Sequence, residues 1–154
     1  MTFSIRDAMP ADTGIIADFN NRLAEETEAR SLDSKLIGRG VAAFLADPSK
    51  GRYWLAVVDD WIIGQIAVTY EWSDWRNGMI WWIGSVYVHA NYRRQGVYSS
   101  LYRHVESQAQ RDSEVIGIRL YVETDNERAQ KTYTDLGMKM TNYRIMQSLF
   151  DREI

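Results

Sequence analysis

Arg93, Arg94, Gln95, Gly96 and Ser99 stand together in "VYVHANYRRQGVYSSLY", residues 86–102, where an alternating apolar run gives way to helical spacing. The position matters chemically. A helix N-terminus presents unpaired N–H groups and about half a positive charge, so an anion placed there is held without a lysine. Gly96 has no Cβ, which lets the backbone turn into the helix and lets an anion come close. Arg93 and Arg94 add charge, and Gln95 and Ser99 add hydrogen-bonding groups at the mouth. The corner reads as an anion cradle, against the plainer alternative of a glycine near a helix start with two solvated arginines. It carries neither the G-x-x-x-x-G-K-[ST] of a P-loop nor the G-x-G-x-x-G of a dinucleotide site.

A second group lies in "VETDNERAQKTYTDLGMK", where Asn126, Ala129, Tyr133 and Gly137 follow at steps of three, four and four. On a helix, Ala129 and Tyr133 share a face and Asn126 sits at the opening turn. As structure alone, Asn126 is a good cap and Tyr133 a packed aromatic.

The elements that must position these residues follow from periodicity. "FSIRDA" alternates as a first strand. Ile15, Ile16, Phe19 and Leu23 recur at helical steps between Asp12 and Glu28, and Ser34 can cap a second helix that stops before Pro48. "YWLAVV" (53–58) and "WIIGQIAVTYEW" (61–72) flank Asp59-Asp60, a plausible tight hairpin. "MIWWIGSVYV" (79–88) is the next strand, beyond the polar turn "SDWRNG". A helix runs from Gly96 to Arg111 with Val97, Leu101, Val105 and Ala109 on one stripe. "VIGIRLYV" (115–122) is a strand, and residues 126–136 form a short helix closed by Gly137. Two final strands are expected near Met138–Asn142 and Arg144–Leu149. The order β-α-α-β-β-β-α-β-α-β-β is α/β, with a mostly antiparallel start and a parallel crossover in the middle.

Composition narrows the functional classes. The 154 residues fit one domain, 1–154, with a core of ordinary size. No stretch approaches the roughly 20 apolar residues of a membrane span, and "MTFSIRDAMP" lacks the apolar run of a signal peptide, so a cytoplasmic location is expected. The net charge of −3 disfavours a broad nucleic-acid surface. No cysteine is present, which removes disulfides, thiolate nucleophiles and most zinc sites. His89 and His104 make no metal constellation, and no metal is expected.

Both motifs in register resemble those of the GCN5-related N-acetyltransferase (GNAT) superfamily. Its Q/R-x-x-G-x-G/A signature is matched by Arg93-Arg94-Gln95-Gly96-Val97-Tyr98, and its Asn-x-x-Ala-x-x-x-Tyr-x-x-x-Gly helix by Asn126, Ala129, Tyr133 and Gly137. The resemblance covers nearly the whole chain. Tyr98 departs from the usual Gly or Ala, so its ring must point aside, packed on the neighbouring sheet.

The resemblance implies a mostly antiparallel sheet with a splay between two parallel central strands, flanked by about four helices. It implies acetyl-CoA as cosubstrate, its diphosphate at Arg93 to Ser99 and its pantetheine arm paired with backbone at Val86 and Val88. Asn126 would contact the arm, the Val88 N–H would hold the oxyanion, and Tyr133 would protonate the departing thiolate. It also implies a homodimer. Without a cysteine, direct transfer in a ternary complex is the simpler scheme.

Many relatives place a glutamate on the strand before the signature, but this chain has Gly84 and Ser85 there. Base candidates elsewhere are Glu71, Asp74, His89, Glu123 or a water chain ending at Ser85. The six tryptophans all fall in the three central strands and their turn, and most are expected in the core. Trp72 and Trp75, beside Glu71 and Asp74, instead suit an ammonium-bearing acceptor. A small cationic amine (polyamine, diamine or amino-acid-like) is therefore expected, with a loose likeness to the diamine acetyltransferase branch. The alternatives are acetylation of protein N-termini or lysines, and a non-catalytic acyl-CoA sensor.

Overall fold

A computed structural model describes residues 1–152. The chain divides into two compact units, the first Met1–Leu120 and the second beginning at Tyr121. In the first unit the order is β1 (Ser4–Asp7), α1 (Thr13–Glu28), α2 (Ser34–Ala46), β2 (Arg52–Val58), β3 (Trp61–Ser73), β4 (Gly78–Val88), α3 (Val97–Arg111) and β5 (Val115–Leu120), with 3₁₀ turns at Pro10–Asp12 and Ala90–Tyr92. The second holds α4 (Glu127–Asp135).

The five strands lie in sequence order, antiparallel from β1 to β4 and parallel between β4 and β5. Asp59 and Asp60 both take positive φ, the backbone a two-residue hairpin needs to match strand twist. Capping of α2 falls to Asp33 rather than Ser34, because the Asp33 carboxylate accepts from both Lys35 N and Leu36 N. Two oriented amides outbid one hydroxyl.

Strand alternation sends side chains to opposite faces of the sheet. On one face Tyr53, Leu55 and Ala67 pack with Ile16 of α1 and Val41 of α2. On the other, Trp54 stacks edge-on to His104 of α3 and lies beside Trp81, which also meets Tyr70. Burial of His104 there lowers its pKa. Of the four tryptophans expected in the core, Trp54 and Trp81 are buried, Trp82 is half-buried and Trp61 is exposed, while Trp72 and Trp75, set apart by their place at the turn, are exposed. The exposed three sit at a strand start, a strand end and a turn, where alternation no longer decides burial.

Register shifts once within β3–β4. Gln65 pairs Tyr87 and Ala67 pairs Gly84, so β4 carries one extra residue there, a β-bulge. Ser85 within it has φ of +50°, a left-handed conformation costly for a side chain with Cβ.

The two strands expected after α4 form no ladder among the described residues. Alternation in 138–149 produces an extended chain with two faces, but a strand requires a partner edge. Tyr143, Ile145, Met146, Leu149 and Phe150 accordingly remain exposed.

The link from β1 to α1 rests on Asp12. Its carboxylate takes both Arg6 guanidinium nitrogens at 2.9 and 3.0 Å and Met9 N at 2.7 Å. These bonds, the Arg6 pair foremost, lower its pKa. Hydrogen bonds to a charged group are worth roughly 1.5–3 kcal/mol, so Asp12→Ala should cost about 2 kcal/mol in urea unfolding. Because the folded pKa is depressed, the contribution is present above the unfolded carboxyl value of about 4 and lost as pH falls through the folded one. Acid titrations of wild type and Asp12→Ala should therefore converge as the pH falls through the depressed folded pKa of Asp12.

Candidate active site

β4 runs on beyond its ladder with β5. The parallel ladder to β5 stops at Ile83↔Leu120, while β4 continues to Val88. His89 N–H donates to Ile63 O on β3 at 2.8 Å, and amides alternate sides along a strand, so the polar groups of Val88 face away from β3. The Val88 carbonyl does take Arg93 Nε at 2.9 Å. That leaves the run from Val86 to Val88 able to pair with an extended ligand on that side.

The chain then turns sharply into α3. Arg94 has φ of +60° and Gly96 of +83°. Gly96 is the N-cap, and no side chain caps the helix. Its first-turn amides at Val97, Tyr98 and Ser99 therefore lack the side-chain acceptor that closes most helix starts. A Cβ built on Gly96 would meet nothing within 4 Å. Glycine is required here for its φ, and open space adjoins the amides. The cradle fits a diphosphate.

Side chains at the corner divide into two jobs. Arg93 is committed to structure: its guanidinium holds Glu26 of α1 through 3.0 and 3.1 Å bonds and lies over the Tyr87 ring. Although exposed, it ties α1 to the end of β4. Gln95 donates to Asn91 O at 3.2 Å. Arg94 and Ser99 are exposed, Val97 is buried, and Tyr98 is half-buried, in keeping with a ring turned aside.

The expected acceptor residues are partly gathered and partly separated. Trp82 Nε1 donates to Glu71 Oε1 at 2.8 Å, and Arg119 approaches Glu71 Oε2 at 3.5 Å and the Trp82 ring at 5.9 Å. This cluster spans β3, β4 and β5 on one face. Trp72, the next residue along, points to the opposite face and is exposed, as is Trp75. Asp74 Oδ1 accepts from Trp75 N and so closes the turn. Glu71 and Trp72 therefore cannot line the same wall. Arg119 and Trp82 were missed in the sequence because each reads as an ordinary member of a strand, and only register brings them to Glu71.

Among the base candidates, His89 Nδ1 accepts from Asn91 N at 3.2 Å, which leaves its other nitrogen as the N–H. Ser85 sits in the β4 bulge with its carbonyl bonded to Gln65. In the second unit, Asn126 Oδ1 accepts from Ala129 N at 3.1 Å and caps α4. Glu123 is exposed, its carbonyl taking Gln130 Nε2. Desolvation pushes the Tyr133 hydroxyl up to about 12, so it carries its proton throughout the neutral range. Among the described residues no group of His, Cys, Asp and Glu could hold a metal ion. Among the described residues no helix is long and apolar enough to cross a membrane.

A sequence model of the acetyltransferase (GNAT) family matches residues 16–138, across both units. This chain belongs to the GNAT acetyltransferase family. It is similar to a possible acetyltransferase from Clostridium difficile 630, with 41% identity over 99% of this chain and 100% of that one, at a TM-score of 0.93. More distant is a predicted acetyltransferase with acetyl-CoA from Clostridium acetobutylicum, at 17% identity, 96% coverage of each chain and a TM-score of 0.79. A ribosomal-protein-alanine N-acetyltransferase from Brucella melitensis biovar Abortus 2308 shares 16% identity over 97% of this chain and 100% of that one, with a TM-score of 0.76. These last two share the fold. No curated protein matches the chain.

As a GNAT acetyltransferase the chain uses acetyl-CoA, and the corner is where the sequence signature and the bare amides coincide. Gly96→Ala would force alanine into a left-handed φ at about 1–2 kcal/mol and set a methyl beside the amides. The dissociation constant for acetyl-CoA, read by calorimetry, should rise at least about tenfold while the melting temperature falls only a few degrees.

Proposed function

We propose that the chain moves the acetyl group of acetyl-CoA to a primary amine on a small cationic molecule (polyamine, diamine or amino-acid-like) by direct attack in a ternary complex. The observation that carries this reading is the uncapped start of α3 beside the part of β4 that runs on beyond its ladder. The first suits a diphosphate; the second suits the amide-bearing arm of the carrier. In this reading the bound carrier involves Val86, Val88, Arg94, Gln95, Gly96, Val97, Tyr98, Ser99 and Asn126, with Arg93 holding the strand end in place. The whole chain, 1–154, acts as one N-acetyltransferase domain.

Three tasks remain for the protein. The amine must arrive as a free base, since an ammonium has no lone pair. As it adds to the carbonyl carbon, negative charge builds on oxygen, and the Val88 N–H stabilises it. Collapse breaks the carbon–sulfur bond, and Tyr133 gives its proton to the departing thiolate. The proton that the nitrogen sheds on becoming an amide passes through solvent to restore the phenol. Desolvation makes the Tyr133 hydroxyl a weaker acid than a free phenol, so in this reading it acts first as a hydrogen-bond donor to the sulfur and yields its proton as the charge there develops. With no cysteine in the chain, no thiol is present to carry the acyl group in between.

For the acceptor, the Glu71–Arg119 pair favours an amino-acid-like head within the proposed class. Its ammonium would meet the carboxylate and its carboxylate the guanidinium. A polyamine would instead face the guanidinium with a like charge. Of the other residues expected at the acceptor, Ser85 lies farther along β4, whereas Trp72 on the opposite face and Asp74 and Trp75 in the turn stand apart from this head site. A sensor that binds acyl-CoA without turnover is the second reading, favoured by the lack of a carboxylate at Gly84 and Ser85. The exposed apolar stretch from Tyr143 to Phe150 supports a homodimer, working in the cytoplasm.

Release of free CoA over a panel of amines separates enzyme from sensor, and steady release with an amino-acid-like amine is expected. Tyr133→Phe should lower kcat by about 10²-fold, the ordinary range for a lost general acid, with acetyl-CoA binding retained. Arg119→Met should raise the KM of amino-acid-like acceptors about tenfold and leave diamines unchanged, as for a lost charged contact. Equal effects on both classes would refute the assignment of the acceptor head.

A further inference from the structure

Gln65 is fully buried in the middle of β3, at 0% exposure. Its side-chain Nε2 donates to Asn20 Oδ1 of α1 at 2.9 Å and to the Ser85 carbonyl at 3.0 Å. Asn20 Nδ2 in turn donates to Tyr53 Oη of β2 at 3.1 Å. The opposite end of the amide, Oε1, is buried with no protein partner. Turning the amide over would set Oε1 against two other oxygens, so the orientation is dictated by its neighbours. A buried amide with half of its capacity unmet costs about 1–3 kcal/mol relative to an apolar residue of the same shape. Stability alone does not account for it.

What the amide holds accounts for it. Ser85 is the left-handed residue of the β4 bulge, and the bulge inserts the extra residue just before Val86 to Val88. Without a clamp on its carbonyl, a serine would relax to ordinary strand conformation. A one-residue slip would then exchange the two edges of β4, turning the Val88 N–H from the open side toward β3. We propose that Gln65 is a positioning residue for acyl transfer: its buried amide locks Ser85 in the left-handed bulge and so aims the β4 backbone from Val86 to Val88 at the thioester. Asn20, itself bonded to Tyr53, takes the other Nε2 proton on the side away from Ser85 and adds stability without setting the bulge. This rests on the reading that the acyl carrier lies along Val86–Val88.

The test compares variants within one network. Gln65→Met keeps the volume and removes the clamp; Asn20→Leu removes the support but leaves Gln65 its bond to Ser85. Both should lower the melting temperature. Gln65→Met should cut kcat at least tenfold, with the KM for acetyl-CoA within about threefold and faster hydrogen exchange at Val86–Val88, whereas Asn20→Leu keeps kcat within about threefold. Adding Ser85→Gly to Gln65→Met should restore kcat at least in part, because glycine adopts positive φ without help. Should Gln65→Met fail to fold, Gln65→Asn, which withdraws the amide by one methylene, is measured in the same way.

Equal kcat losses in the Gln65 and Asn20 variants, or a kcat that simply follows stability, would overturn the proposal. So would a double variant no better than the single. Absence of acetyl-CoA binding to the wild-type chain would instead overturn the carrier reading beneath it.

Discussion

Backbone N–H and C=O groups must be met by some partner, and nearly every element of this fold exists to meet them. The functional corner is the exception. Pairing of β4 with β5 stops at Ile83↔Leu120, and α3 begins at Gly96 with no capping side chain. Backbone beyond the ladder and a helix start without a side-chain cap therefore follow one another in the chain. An acyl carrier bearing amides at one end and a diphosphate at the other supplies a partner for each. Recognition of this kind needs few particular side chains, since main-chain groups do most of the holding.

Charge is distributed to the same end. The chain carries a net −3, so the anion is attracted locally rather than by a broad basic surface. Of the two adjacent arginines, Arg93 is engaged by Glu26 and by the Val88 carbonyl, leaving Arg94 exposed beside the helix start. The positive end of α3 complements it. Arg93 thus fixes the strand end from which the turn springs.

Much of this was legible in the sequence, and the failures have physical causes. The Arg-Arg-Gln-Gly corner and the Asp59-Asp60 hairpin are local: their backbone demands are written in adjacent residues. The roles of Arg93 and Arg119 are not, because Glu26 lies 67 positions from Arg93 and Glu71 lies 48 from Arg119. Gln65 was invisible for another reason. An amide in "WIIGQIAVTYEW" reads as an outward-facing polar residue, yet both sheet faces are covered here by helices. The two terminal strands failed because periodicity reports faces and says nothing of a partner edge. The tryptophans failed in part because their chemistry suits a core and a turn alike.

Loss of a carboxylate from β4 is tolerable on energetic grounds. An amine with a pKa of about 10.4 is roughly 3.4 units from half-deprotonated at pH 7, about 4.6 kcal/mol. Desolvation alone shifts buried amines downward by as much as 3–5 units, which covers that gap without a dedicated base. A carboxylate held close would work against this by favouring the ammonium form. In the proposed reading Glu71, bonded to Trp82 and Arg119, meets the ammonium of the acceptor head and not the reacting nitrogen. A site that binds the remainder of the acceptor by charge, and strips the attacking amine of water, can dispense with a strand glutamate. Gly84 and Ser85 then become residues selected for the backbone path of β4, where a bulge rather than a proton acceptor is required.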